Sequence, residues 1–231
     1  MTEKSKGKLY LVPTPIGNYE DITLRALKVL QEVSFIICEE KKEARRLLSR
    51  YQISKELIEL NEHNEKEHAP LITGRIKNGD TAALISDCGT PLFSDPGHFL
   101  VDLCIMNKIM LIPLPGANSI LPALISSGMN IEKFYYYGWL SPKKDKRKQE
   151  LLKLKKINEL IILLDTPYRL LSLLRDVVKY FDRSVDIFLA YNLTMQDERL
   201  LRGSADKVLS AAESEKMKGE FVLLIDNRRG K

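Results

Sequence analysis

The sequence predicts two α/β domains in succession with a ligand cleft between them, and three observations carry that expectation. Short apolar runs alternate with stretches whose apolar residues recur at helical spacing, the pattern of βα units. Three loops rich in Gly and Pro (Pro13 to Asn18, Ser86 to Gly97, Pro113 to Ser119) each follow an apolar run. In a parallel sheet such loops emerge at one edge, where ligands bind. Beyond Ser119 the character shifts to an aromatic run and a dense basic segment, which places the boundary near Pro115 to Ser119. The expected domains are residues 8–115 and 116–231.

Leu9 to Val12 is a short strand, and P-T-P-I-G-N from Pro13 to Asn18 cannot continue it, since proline donates nothing to a ladder. Asp21 or Thr23 is suited to cap a helix whose Ile22, Leu24, Leu27, Leu30 and Val33 share a face. Phe35 to Cys38 is a second strand, followed by Glu39-Glu40-Lys41-Lys42 and a basic helix through Arg45, Arg46 and Arg50. Leu57 to Leu60 reads as a third strand leading to N-E-H-N-E at Asn61 to Glu65, then a helix near Glu67 to Lys77. Ala82 to Ile85 is a buried strand, and S-D-C-G-T-P-L-F-S-D-P-G follows from Ser86 to Gly97 before a helix over His98 to Asn107. In that loop Gly89 and Gly97 let backbone approach a ligand, and Pro91 and Pro96 restrict its shape. Asp87 and Asp95 can accept hydrogen bonds from an amine or hydroxyls. Met110 to Pro113 is the next strand, closing on P-L-P-G-A-N-S.

The second half opens with a helix over Ile120 to Ser127, then the aromatic strand Phe134 to Leu140. Lys143, Lys144, Lys146, Arg147, Lys148, Lys153, Lys155 and Lys156 make the densest basic segment of the chain. With tyrosines and Trp139 beside it, the segment suits nucleic acid. It equally suits an amphipathic helix that packs Leu151, Leu152 and Leu154 inward and leaves the aromatics to the core. Leu160 to Leu164 is a buried strand leading into D-T-P-Y-R at Asp165 to Arg169, with a helix after Pro167. Ile187 to Tyr191 and Glu220 to Asp226 are further strands, Arg199 to Leu201 extends one of them, and Ser204 caps a helix toward Ala212.

Composition bounds the rest. A net charge of +5 over 231 residues permits a polyanionic partner without requiring one. Three cysteines without C-x-x-C spacing argue against a disulfide framework or a zinc site, and three histidines leave little for any metal. The N-terminal M-T-E-K-S-K-G-K lacks the apolar stretch of a signal peptide, and no apolar run reaches the length of a membrane span. A soluble, cytoplasmic protein is expected. No loop matches G-x-G-x-x-G or G-x-x-x-x-G-K-[ST], so dinucleotide and triphosphate sites are not indicated.

L-Y-L-V-P-T-P-I-G-N, with E-D-I-T-L-R-A-L after it, and S-D-C-G-T-P-L-F-S-D-P-G resemble the tetrapyrrole-methylase superfamily. They look most like its branch that 2′-O-methylates a cytidine of small-subunit ribosomal RNA. The likeness runs on through H-N-E, P-L-P-G and F-Y-Y-Y-G-W-L-S-P-K to the closing G-E-F-V-L-L-I-D. This resemblance implies S-adenosylmethionine as cofactor, held between the two domains, a homodimer, and ribosomal RNA or the small ribosomal subunit as partner, with no membrane and no metal. Carried over, the cofactor contacts fall on Ile16, on Asp87, Gly89, Thr90, Pro91 and Phe93, on Ala117, Asn118 and Ser119, and on Leu164.

The departures lie on the substrate side. Where the branch usually reads E-D-T-R this chain has Glu39-Glu40-Lys41-Lys42, and for E-S-P-H-R it has Asp165-Thr166-Pro167-Tyr168-Arg169. For R-E-L-T-K it has Tyr191-Asn192-Leu193-Thr194-Met195. Candidates for the chemistry are Glu40, His63, Asn64, Asp165 and Arg169, since moving a methyl to a ribose hydroxyl benefits from a base within hydrogen-bond reach. Methylation of a small molecule such as a tetrapyrrole, or cofactor binding without catalysis, are the alternatives.

Overall fold

A computed structural model describes residues 7–93 and 95–228. The polar N-terminal segment, expected to lack a signal peptide, lies outside the described residues but for its last two, as does Ser94 of the central loop. The chain divides into two units, one ending at Asn118 and one beginning at Ser119.

The first unit contains β1 (Lys8–Val12), α1 (Leu24–Glu32), β2 (Phe35–Cys38), α2 (Lys41–Arg50) and β3 (Glu56–Glu59). It continues through α3 (Glu65–Lys77), β4 (Ala82–Ile85), α4 (His98–Met106) and β5 (Met110–Pro113). All strands are parallel, in the order β3-β2-β4-β1-β5. Period-two alternation sorts each strand's residues onto the two faces. Ile36, Cys38, Ala83, Ile85 and Val12 pack under α1 and α2 residues such as Leu30 and Leu47. Phe35, Ile37, Ala82, Leu84 and Leu9 pack on the other side against Ile72, Ile76, Leu100 and Cys104 of α3 and α4. Of the two expected caps, Thr23 serves α1, accepting the Ala26 N–H at 3.0 Å, while Asp21 sits in a short 3-10 turn.

The second unit contains α5 (Ile120–Ser126), β6 (Phe134–Trp139), α6 (Lys144–Leu154), β7 (Leu160–Asp165) and α7 (Leu170–Tyr180). Then come β8 (Asp186–Tyr191), β9 (Arg199–Ser204), α8 (Ala205–Ser214) and β10 (Phe221–Asp226). The sheet order is β6-β7-β10-β8-β9, and only β6 and β7 run parallel. This half is therefore a mixed sheet. The segment at Arg199 does not extend a neighbour but forms its own edge strand, antiparallel to β8. One face of the sheet buries Leu163, Leu189 and Leu223 against Leu151, Leu154, Leu173, Leu174, Val177 and Val208 of α6, α7 and α8. At the far edge Arg202 donates to the Ser126 and Ser127 carbonyls, satisfying the C-terminal end of α5.

Two details of α6 and β6 differ from expectation. Leu151 and Leu154 are buried, but Leu152 is 41% exposed, because its position turns it off the packed stripe. Most aromatics of β6 are not core either: this edge strand leaves Phe134, Tyr135 and Trp139 exposed, while Tyr137 packs against the core. Among the described residues no helix is long and apolar enough to cross a membrane, and no three His, Cys, Asp or Glu side chains gather as a metal-binding group.

Candidate functional site

Strand order brings the three Gly/Pro loops together. They follow β1, β4 and β5, and β1 lies between the other two, so their C-terminal ends are neighbours on one sheet edge. The loops then bind one another. Thr14 and Gly89 exchange backbone hydrogen bonds, Thr14 N–H to Gly89 O at 2.9 Å and Gly89 N–H to Thr14 O at 3.1 Å. The buried Thr14 hydroxyl donates to Ser86 O at 3.0 Å, and the Thr90 hydroxyl donates to Ala117 O at 3.1 Å. These bonds satisfy backbone groups that loops without a ladder would otherwise leave bare.

Two glycines permit this convergence. Gly89 has φ +87°, where an L side chain is strained, and a Cβ there would lie 3.3 Å from Ile16 Cγ2. A Cβ on Gly116 would come within 2.7 Å of the Pro13 ring, so glycine lets the third loop rest on the first. Pro91 is buried, whereas Asp87, Thr90 and Phe93 are exposed and Ile16, Ala117, Asn118 and Ser119 half-buried. Ser119 is also the residue preceding the first turn of α5, and Leu164, half-buried on β7, pairs across from Val222.

The rim of these loops is acidic. Burial, then the neighbouring Asp87, Asp95, Glu40 and Glu62, pushes the Glu39 carboxyl above its ordinary value. Asp87 is raised by desolvation first and by Glu40, Glu43 and Asp95 after it, opposed by a backbone hydrogen bond from Glu40. Asp95 is raised by burial against hydrogen bonds from Ser86 and Leu92. Together they amount to negative charge that the loops do not neutralise. The two buried thiols are inert, with burial pushing Cys38 up to about 12 and Cys104 up to about 11.

Other candidates have definite places. Glu40 is exposed at the N-terminal boundary of α2. His63 is an exposed surface residue whose Nε2 lies 3.5 Å from Glu62. Asn64 instead knits the turn after β3, its Oδ1 accepting the Asn61 N–H at 2.8 Å and its Nδ2 donating to Glu59 O at 3.3 Å. Glu65, the third residue of H-N-E and absent from the sequence-based candidates, accepts backbone N–H groups from α4.

In the second unit Asp165 is buried at the end of β7, with Oδ1 accepting the Thr166 N–H at 2.7 Å. Its Oδ2 lies 3.2 Å from Arg169 Nη2 yet has no hydrogen bond, as is also true of Arg169 Nε. Burial raises the Asp165 carboxyl, opposed by Thr166 N–H and by Arg169 and Arg147. Arg169 Nη2 also donates to the Leu140 and Ser141 carbonyls at 3.1 and 2.9 Å, clamping the segment that follows β6. The basic segment divides in two. Its lysines are exposed, but Arg147 is buried with Nε donating to Asp176 at 2.7 Å, and its charge is thereby taken out of the surface field.

A Buchnera aphidicola (subsp. Schizaphis graminum) protein named Ribosomal RNA small subunit methyltransferase I is 38% identical over 223 residues, 95% of this chain and 78% of the relative. A Thermotoga maritima protein of the same name is also 38% identical, across 96% of this chain and 99% of its own length. Uroporphyrin-III C-methyltransferase from Thermus thermophilus, solved with S-adenosylhomocysteine, shares the fold with a TM-score of 0.63 at 15% identity, over 95% of this chain and 97% of that one. Residues 8–209 match the family described as Tetrapyrrole (Corrin/Porphyrin) Methylases. With the loop motifs, the fold and this match all in agreement, the chain belongs to the tetrapyrrole methylase family.

Proposed function

We propose that the protein transfers a methyl group from S-adenosylmethionine to the 2′-oxygen of a cytidine ribose in small-subunit ribosomal RNA. One observation carries this reading: 38% identity, along nearly the whole chain, to bacterial proteins named Ribosomal RNA small subunit methyltransferase I. The first-unit loops suit the cofactor. Glu39, Asp87 and Asp95 present carboxylates in need of positive charge, and S-adenosylmethionine carries both an ammonium and a sulfonium. Gly89 keeps a side chain out of the loop junction where backbone must approach the ligand.

When bound, the cofactor would supply an electrophilic methyl group whose leaving group is the thioether sulfur. The protein's part is positioning and proton handling. Ile16, Asp87, Gly89, Thr90, Pro91, Phe93, Ala117 and Asn118 are assigned to hold the cofactor, Asp87 by accepting from its amine or ribose hydroxyls. Glu40, exposed beside the acidic rim, is assigned to accept the proton of the 2′-hydroxyl. Asp165 and Arg169 are assigned to position the segment at Leu140 and Ser141. The exposed lysines of α6, with the aromatics of β6, are assigned to the RNA backbone and bases. We infer a cytoplasmic homodimer from the motif resemblance, and sedimentation would read the mass of the assembly.

Incubation with methyl-labelled cofactor and, in parallel, small ribosomal subunits, naked RNA and uroporphyrinogen-type tetrapyrroles tests the reading. Label is expected in RNA, at a cytidine resistant to alkaline cleavage, because a methylated 2′-oxygen cannot attack its own phosphate. Label in the tetrapyrrole alone would reject it.

A further inference from the structure

A groove of about 600 Å³ lies in the second unit, lined by Pro167, Tyr168, Leu171, Arg175, Glu213, Lys216, Met217 and Lys218. Its volume falls in the range of small-ligand sites. The floor is apolar, with Met217 buried and Leu171 partly buried in the helical core. The rim carries three cations, Arg175, Lys216 and Lys218, against one carboxylate, Glu213, which Arg175 Nε engages at 2.8 Å.

Tyr168 is the unusual member. It closes the D-T-P-Y run that begins at Asp165 and lies immediately before Arg169. It is 79% exposed, far more than a packed aromatic ring would be. Lys218 Nζ sits 4.4 Å from the ring centroid, so a cation covers part of the ring and its exposure comes from the remainder. An exposed flat ring flanked by cations over an apolar floor is the arrangement that takes an unpaired base by stacking and its phosphate by charge.

Resting on the RNA reading above, we propose that this groove is a nucleotide subsite. An unpaired RNA base stacks on Tyr168, and the phosphate beside it is held by Lys216 and Lys218. The stacking accepts any base, so the subsite sets the path of the strand near Asp165 and Arg169 rather than its sequence. Arg175 stays with Glu213 and shapes the wall.

The test uses the full chain and short unstructured oligoribonucleotides carrying one 2-aminopurine, placed at each position in turn, whose fluorescence falls on stacking. Wild type should quench the probe on binding, whichever bases flank it. Tyr168→Ala should remove that quenching and weaken binding about five- to hundredfold. Tyr168→Phe should preserve both, because the ring and not the hydroxyl makes the stack. Lys216→Gln with Lys218→Gln should flatten the log-log salt slope by about 0.7 for each phosphate that the lysines no longer neutralise. Cofactor affinity by calorimetry should not change in any of them. Equal quenching and affinity in Tyr168→Ala would overturn the subsite while leaving the RNA reading intact. A wild type that binds no RNA would overturn both. Displacement of the oligonucleotide by a polyglutamate peptide as readily as by RNA would reassign the groove to an acidic protein and overturn it too.

Discussion

Glu65 at the start of α3 caps the first turn of α4: its Oε1 accepts the Phe99 N–H at 2.9 Å and the Leu100 N–H at 3.3 Å. The residue preceding α4 is Gly97, which has no side chain to do this, so the cap is supplied by an acid far earlier in the chain. The central loop runs straight into this helix, and Glu65 therefore fixes one of the loop's two ends.

Glu65→Ala should strip that cap, lowering stability by about 1–2 kcal/mol and weakening cofactor binding as the loop end loosens. Glu65→Gln, which keeps one acceptor, should lose less. Urea midpoints and calorimetry read the two effects. A variant as stable as wild type would show that water replaces the carboxylate without loss.

Gly89→Ala should leave the fold cooperative but reduce cofactor affinity about five- to thirtyfold, the equivalent of one positive-φ backbone penalty of about 1–2 kcal/mol placed at the loop junction. The added methyl would stand 3.3 Å from Ile16, a residue assigned to the cofactor, and so crowd the same junction. Titration of S-adenosylhomocysteine into wild type and variant decides it, and equal affinity would show that the loop is only a connector.

Cofactor affinity should rise with pH from the ordinary carboxylate range into the mildly acidic region above it, then level off. The sign follows from Glu39, Asp87 and Asp95, whose carboxyls are raised in the folded protein. In the unliganded fold, the stability these groups contribute is fully present below their unfolded pKa and is lost as pH rises through the raised values. A cationic ligand favours the ionised forms, so its binding in that window should release protons. Calorimetry in buffers of different ionisation enthalpy counts them, and proton uptake would contradict the assignment.

Asp176→Ala should destabilise the second unit by about 3–5 kcal/mol, because it leaves Arg147 buried and unpaired. Replacing the exposed Lys143, Lys144, Lys146 and Lys148 with Gln should change stability by less than about 0.5 kcal/mol each and yet weaken RNA binding and flatten its salt dependence. Thermal melts and salt titrations of the two variants separate a structural cation from surface ones.

These contrasts mark what local sequence could convey. The strands of the first unit were legible because buried parallel strands are short apolar runs, and here β1, β2 and β4 stop at Pro13, Glu39 and Ser86. Strand order was not, since nothing in L-Y-L-V says that β1 lies between β4 and β5. β9 was half seen because an exposed edge strand such as R-L-L-R-G-S has too few apolar residues to set a period. Direction in the second sheet depends on connections rather than composition, so its antiparallel pairs were invisible. Arg147 looked like its basic neighbours because its partner Asp176 is on another helix, and Glu65 looked dispensable because the groups it satisfies lie on α4.

The interior place of β1 also bears on how the protein comes into being. Leu9 pairs with Ala82 on one side and with Leu111 on the other, so β1, made before both partners, waits for nearly the whole unit before its ladder is complete. Long-range pairing of this kind slows folding and leaves an apolar segment without partners during synthesis. The bonds between Thr14 and Gly89 need only β1 and β4, whereas the bond between Thr90 and Ala117 can form only after that closure. A nascent chain halted before β5 would thus carry two of its three loops and no finished junction, and the capacity to hold a ligand would arise only as the unit's last strand arrives.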